Sequence, residues 1–206
     1  MDVIVDGAGG FKLEGEPETV LAVVDAVLSY LRDRGRAMVG LVIDGDDVDP
    51  ETLTVRFAEA PVDSVNSLAV TSRSVEELVN ESLNELEKAL PELPVACRQL
   101  AQVFQGESPE EGFEPFHRLA KIWEHVKAKQ QALANILAVD LKSLEFDGRS
   151  LPAHLDELNG FLQEAVQALQ DGDTVLLGDL LEYELAPRAE FEARIVDALR
   201  QAARAA

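Results

Sequence analysis

Four residues near the middle of the chain have the types and spacing to hold a metal. Glu114 and His117 make an E-x-x-H step, which puts both side chains on one helix face, and Glu124 with His125 follow about two turns on. Carboxylate-bridged di-iron bundles are built from such steps. They need a second E-x-x-H on another helix, and the remaining histidine, His154, stands near a helix start beside Asp156 and Glu157. Half of the ligand set is missing. His117 also flanks Phe116 and Leu119 on an apolar seam, where a bundle histidine is the plainer reading. A metal-binding helical-bundle enzyme or carrier centred on Glu114, His117, Glu124 and His125 therefore stands as the alternative.

Other chemistry is weaker. Asp44, Asp46, Asp47 and Asp49 resemble a calcium loop, but Val48 takes the third ligand position, Asp49 replaces the glycine at the sixth, and Val55 stands at the last. A solvated acidic turn explains the same residues. Gly7-Ala8-Gly9-Gly10 lacks a helix behind it to present N–H groups to a phosphate, so a hairpin turn is its expected role. Cys97 falls on an apolar seam with Arg98 as its basic neighbour and reads as inert packing. No serine has a G-x-S-x-G context. No catalytic residue is assigned and no cofactor is implied.

The most unusual stretch is Leu180-Leu181-Glu182-Tyr183-Glu184-Leu185-Ala186-Pro187-Arg188. The seam positions between Leu181 and Phe191 fall on Glu184 and Arg188, a pair spaced for a salt bridge beside a proline kink. Gln130 and Asp140 are polar seam residues on another helix. Meeting as a buried cluster or lining a groove, with Tyr183 as an aromatic anchor at the edge, these residues make the expected partner-binding patch. An ordinary kinked surface helix is the competing reading.

The elements that would position these residues follow from periodicity. Val3 and Val5, then Phe11 and Leu13 across the glycine turn, read as a hairpin. Pro17 and then Val20, Val23, Val24, Val27, Leu28 and Leu31 give a helix that stops at Gly35. The MVGLVI run to Ile43 reads as a central strand buried on both faces, and Thr52–Phe57 and Ser67–Ser72 as further strands. From Ser74 the period changes to that of helices. Val79, Leu83, Leu86, Leu90, Leu93, Cys97, Leu100 and Phe104 make one seam, interrupted by a break near 90–94 at Pro91 and Pro94.

A second helix of about 35 residues carries Phe116, Leu119, Trp123, Val126, Gln130, Leu133, Leu137 and Leu144, with Asp140 between the last two. A third begins at Ser150 and Pro152 and turns Leu155, Leu158, Leu162, Val166 and Leu169 inward. The last runs from about Thr174 to the end, with Leu177, Leu181, Phe191, Ile195 and Leu199 on one side. The predicted fold class is α+β: a small β-β-α-β-β sheet domain over 1–73, then an antiparallel four-helix bundle with one broken helix over 74–206.

Composition narrows the function. The 206 residues hold 39 acidic and 18 basic side chains, net −21, shared as −8 over 1–73 and −13 over 74–206. Phosphate backbones and anionic membranes repel such a chain, so neither nucleic acid nor membrane is an expected partner. MDVIVDGAGG lacks the basic start of a secretion signal, no stretch of ~20 apolar residues follows, and one cysteine suits a reducing compartment. A cytoplasmic location is expected.

In size, acidity and bundle content the chain resembles small cytoplasmic chaperones that hold bacterial flagellar or secretion substrates, a likeness of class. The expected function is that of a non-enzymatic, chaperone-like adaptor using a helical-bundle groove, with a protein partner and a homodimer through a sheet edge compatible with the pattern.

Overall fold

In the computed structural model, which describes residues 1–12 and 15–205, the Thr19 hydroxyl accepts a hydrogen bond from Ala22 N at 3.2 Å and opens helix α1, Val20–Arg32. Its valines recur at helical spacing, so Val20, Val23, Val24, Val27 and Leu31 share one face. That face is buried against Val3, Val5, Leu41, Ile43, Leu68 and Val70 of a four-stranded sheet. The strands β1 (Asp2–Val5), β2 (Arg36–Ile43), β3 (Asp46–Asp47) and β4 (Ser67–Ser74) lie in the order β1-β4-β2-β3. β1 is parallel to β4 and the other neighbours are antiparallel.

Helix α2, Pro50–Phe57, completes an order of β-α-β-β-α-β, which corrects the predicted β-β-α-β-β arrangement at two places. Phe11 is not on a strand. After one bridge between Val5 and Ala8, positive φ angles at Asp6, Gly7 and Gly10 turn the chain away, and Phe11 packs its ring edge-on to Tyr30. Leu13 lies outside the described residues. The second correction is Thr52–Phe57, which is helical. Leu53 is buried and Phe57 packs on the same core four residues on, whereas Val55 is 88% exposed. Burial here follows a helical step, with proline at the helix start. β2 is also less enclosed than predicted: Leu41 and Ile43 are buried but Val39 is 48% exposed, as in an antiparallel sheet covered on one face.

A polar clip fastens this sheet. The Asp6 carboxylate accepts from Ser72 N and Ser72 Oγ, both at 2.7 Å, and from Arg36 Nη2 at 3.1 Å; Arg36 also donates to Ser72 Oγ at 2.8 Å and Ser72 O at 2.9 Å. Three strands are thereby tied near one end. The Ser72 hydroxyl and backbone N–H, with the Arg36 guanidinium, hold the Asp6 carboxyl below its ordinary value.

The chain divides into two units, Met1–Leu78 and Val79–Ala206. Helix α3, Val75–Ala89, starts with Glu77 N donating to Ser74 Oγ at 3.4 Å. Leu90 and Pro91 separate it from α4, Glu92–Phe104, which carries Pro94 in its first turn. All eight predicted seam residues from Val79 to Phe104 are buried. Helix α5, Phe113–Ile136, has 24 residues, not 35. Ala138 takes φ +54° and Val139 N donates back to Ala134 O at 2.8 Å, a left-handed stop that ends the helix. Asp140 caps the short turn that follows. Leu144 lies ahead of a two-stranded hairpin, β5 (Glu145–Phe146) and β6 (Arg149–Ser150), joined by Asp147-Gly148 with positive φ at both residues.

Ser150 caps α6, Leu151–Asp171, and left-handed Gly172 ends it. Asp173 caps α7, Thr174–Asp179, which runs through a π turn, Leu180–Leu185, into α8, Ala186–Ala205. The second unit thus draws on six α-helices among the described residues, where the sequence suggested four. No helix among the described residues is long and apolar enough to cross a membrane.

Because Asp6 titrates lower folded than unfolded, its contribution is present above about pH 4 and fades as pH falls through the depressed value. Urea midpoints of wild type and Asp6→Asn, a residue that tolerates the φ of 51° at this position, should therefore differ clearly at pH 7 and draw together as pH falls below about 4. A gap that does not change with pH would remove the charge of Asp6 from the account.

Candidate functional site

The apolar stripe of α6 is partnered along only part of its length. Leu151 and Leu158 are buried, yet Leu155 and Leu162 are half-buried and Val166 is 46% exposed. Facing it, α5 presents Phe116, Leu119 and Trp123, and between the two helices lies a cavity of about 700 Å³. Leu185 from the π turn and Ile195 from α8, both buried, also line it. The predicted inward face of the third helix is thus one wall of an open groove, while Ala165 and Ala168 supply the buried side of that helix's second half. A volume in this range with apolar walls and few polar groups has the character of a binding site.

The register of α8 sets the polar groups beneath the groove. Ala186 N–H donates to Leu181 O, five residues back, so the π turn holds one residue more than an α turn and precedes Pro187, which has no N–H to give. The buried face accordingly advances from Glu184 and Arg188 to Leu185, Ala189 and Glu192, with Leu199 further on. Glu192 is only 2% exposed. Its Oε1 accepts from Lys127 Nζ at 2.5 Å and its Oε2 from Gln130 Nε2 at 2.9 Å, so both donors come from α5. A carboxylate buried so deeply is tolerable because both oxygens are satisfied and one partner is a cation.

Arg188 does the corresponding work on α6. Its guanidinium reaches Glu184 Oε2 at 2.9 Å and Glu157 Oε2 at 3.0 Å and lies 4.2 Å over the Phe161 ring. One helix therefore pins both walls: α5 through Glu192 and α6 through Arg188. Trp123 adds a different signal, because its Nε1–H is buried without a hydrogen-bond acceptor, the one such side-chain atom among the described residues.

Residues 81–190 match a family described as a domain of unknown function, DUF8042. The chain belongs to the DUF8042 family. The DUF8042 span takes in α5, α6 and the π turn, and with them every groove-lining residue except Ile195. An uncharacterized protein of Treponema pallidum (strain Nichols) is 23% identical over 190 residues, covering 91% of this chain and 92% of that protein. No solved structure matches.

The sequence-predicted residues of the DUF8042 span are distributed as follows. Glu184 and Arg188 meet each other; Gln130 meets Glu192; Asp140 caps a turn by accepting from Lys142 N at 3.0 Å; Tyr183 is exposed on the π turn. They do not form one cluster. Of the metal candidates, His117 Nδ1 is engaged with Phe113 O at 2.7 Å, Glu114 pairs with Arg118, Glu124 lines the groove and His125 is exposed. No three His, Cys, Asp or Glu side chains among the described residues come together as a metal site. Burial pushes the Cys97 thiol up to about 12, which leaves it protonated and unreactive.

Sequence reasoning missed Glu192 and Lys127. The available signal is the run of four-residue steps Leu177, Leu181, Leu185, Ala189, which departs from a heptad and moves the seam onto Glu192. Replacing Gln130 with leucine leaves one Glu192 oxygen buried without a donor and should cost about 1–3 kcal/mol in urea unfolding. The double variant Gln130→Leu/Glu192→Leu should recover part of that loss. A double variant less stable than the single one would show that the carboxylate is not the source of the penalty.

Proposed function

We propose that this DUF8042 chain is a cytoplasmic, non-enzymatic protein-interaction module, chaperone-like in character, whose α5–α6 groove receives an apolar segment of a protein partner. One observation carries this reading. The apolar stripe Leu155, Leu158, Leu162 and Val166 faces Phe116, Leu119 and Trp123 across an open cavity. Clefts with mostly apolar walls and a few polar groups are where ligands and partner segments seat, and Gln131 and Asn159 supply such groups here.

The charge of −21 supports a protein partner over a phosphate-bearing one. Within this reading the Arg188 network, with Glu184 and Glu157, supports the groove from outside. It positions α6, and Gln130 does the same for α5.

A photo-crosslinking residue placed at Asn159, on the groove rim, should give discrete protein adducts in the host cell. Those adducts should be lost on Leu162→Glu and absent when the same residue replaces Glu164, which is exposed on another side of α6. Identical adducts from positions 159 and 164 would contradict the groove as the site.

A further inference from the structure

We infer that the occupant of this groove is an amphipathic α-helix of about four turns, with basic residues flanking its apolar stripe. The inference rests on the groove reading above and adds the secondary structure and charge of the partner segment. The two walls have equal reach. Lining residues run from Phe116 to Gln131 on α5 and from Leu151 to Val166 on α6, roughly 22 Å on each at 1.5 Å per residue. On α6 they recur in steps of three and four, at Leu151, Leu155, Leu158, Leu162 and Val166. A third helix matches such rows by ridges-into-grooves packing, whereas an extended strand repeats every two residues and would meet them out of step.

Charge sets the rest. Lys127 is the one cation in the lining and is neutralised by Glu192 beneath it. Glu124 stands in the same lining with no ion pair among the described residues. None of the α6 carboxylates lines the groove, and Glu157 is paired with Arg149 and Arg188; α5 carries Arg118, Lys121, Lys127 and Lys129 against Glu114 and Glu124, so the local excess in the lining is the one carboxylate of Glu124. From Val79 to Ala206 there are 23 acidic and 12 basic residues. Glu124 in the lining and this net charge around it favour a basic helix over an acidic one. The carboxylate of a fatty acid, another ligand that apolar walls admit, is disfavoured beside Glu124 for the same reason.

The test titrates the full chain with two synthetic peptides of about four turns, one of leucine and lysine and one of leucine and glutamate, both patterned as amphipathic helices, and separately with palmitate. Emission of Trp123, the chain's one tryptophan, and anisotropy of labelled peptide report binding. The leucine–lysine peptide should bind saturably at one per chain, at least tenfold tighter than its acidic counterpart. Leu162→Glu and Val166→Glu should each weaken it at least tenfold although both make the protein more acidic, which separates seating in the groove from diffuse charge attraction. Val166 is already half exposed, so its variant keeps the test meaningful if Leu162→Glu fails to fold.

Equal affinity for the two peptides, or no loss in either variant, overturns the proposal. Palmitate binding tighter than both peptides overturns the helix while leaving the groove as a ligand site. Failure of the groove reading itself shows separately, in the crosslinks from position 159.

Discussion

Pro187 has no backbone N–H, and its ring clashes with the preceding turn of a regular α-helix. The chain accommodates it by widening that turn: Leu180–Leu185 forms a π turn, and Ala186 N–H reaches back five residues to Leu181 O. The extra residue rotates everything after it. Without it the buried face would fall on Glu184 and Arg188; with it, that face falls on Leu185, Ala189 and Glu192. Glu192 can then be buried against Lys127 and Gln130 of α5, and Arg188 is turned toward Glu157 and Phe161 of α6. Both walls of the groove are held by side chains whose direction depends on this local change of pitch.

These contacts also explain why the groove stays open. Glu192 is satisfied only while α5 keeps its place, and exchanging it for an apolar residue would remove that constraint along with its desolvation cost. Arg188 is bonded to two carboxylates and stacked on a ring, which holds α6 from the side away from the groove. With its polar fastenings elsewhere, α6 leaves Leu155, Leu162 and Val166 incompletely covered.

Much of the helical unit was legible because its seams obey a simple period. Every residue predicted on the seam from Val79 to Phe104 is buried, and the break at Pro91 and the helix start at Ser150 follow from local chemistry. Periodicity failed where the backbone changed pitch or hand. The left-handed Ala138 ends α5 before Leu144, and the π turn moves the seam by one residue, so an unbroken heptad places Glu184 and Arg188 inside where the structure buries Leu185, Ala189 and Glu192. In the first unit, Leu53, Val55 and Phe57 satisfy a strand pattern as well as a helical one, and only the exposure of Val55 separates the two. The parallel pairing of β1 with β4 is a tertiary choice with no local signature. The groove was equally hidden, because a stripe of leucines has the same spacing whether or not a neighbour covers it.

The central claim is that α5 and α6 are two walls of one binding site fixed by α8. Backbone hydrogen exchange, followed with and without the basic amphipathic peptide, examines both walls at once. The account predicts that exchange slows together over Phe116–Gln131 and Leu155–Val166, with the sheet of the first unit unaffected. Slowing confined to the sheet, or to one wall alone, would contradict it.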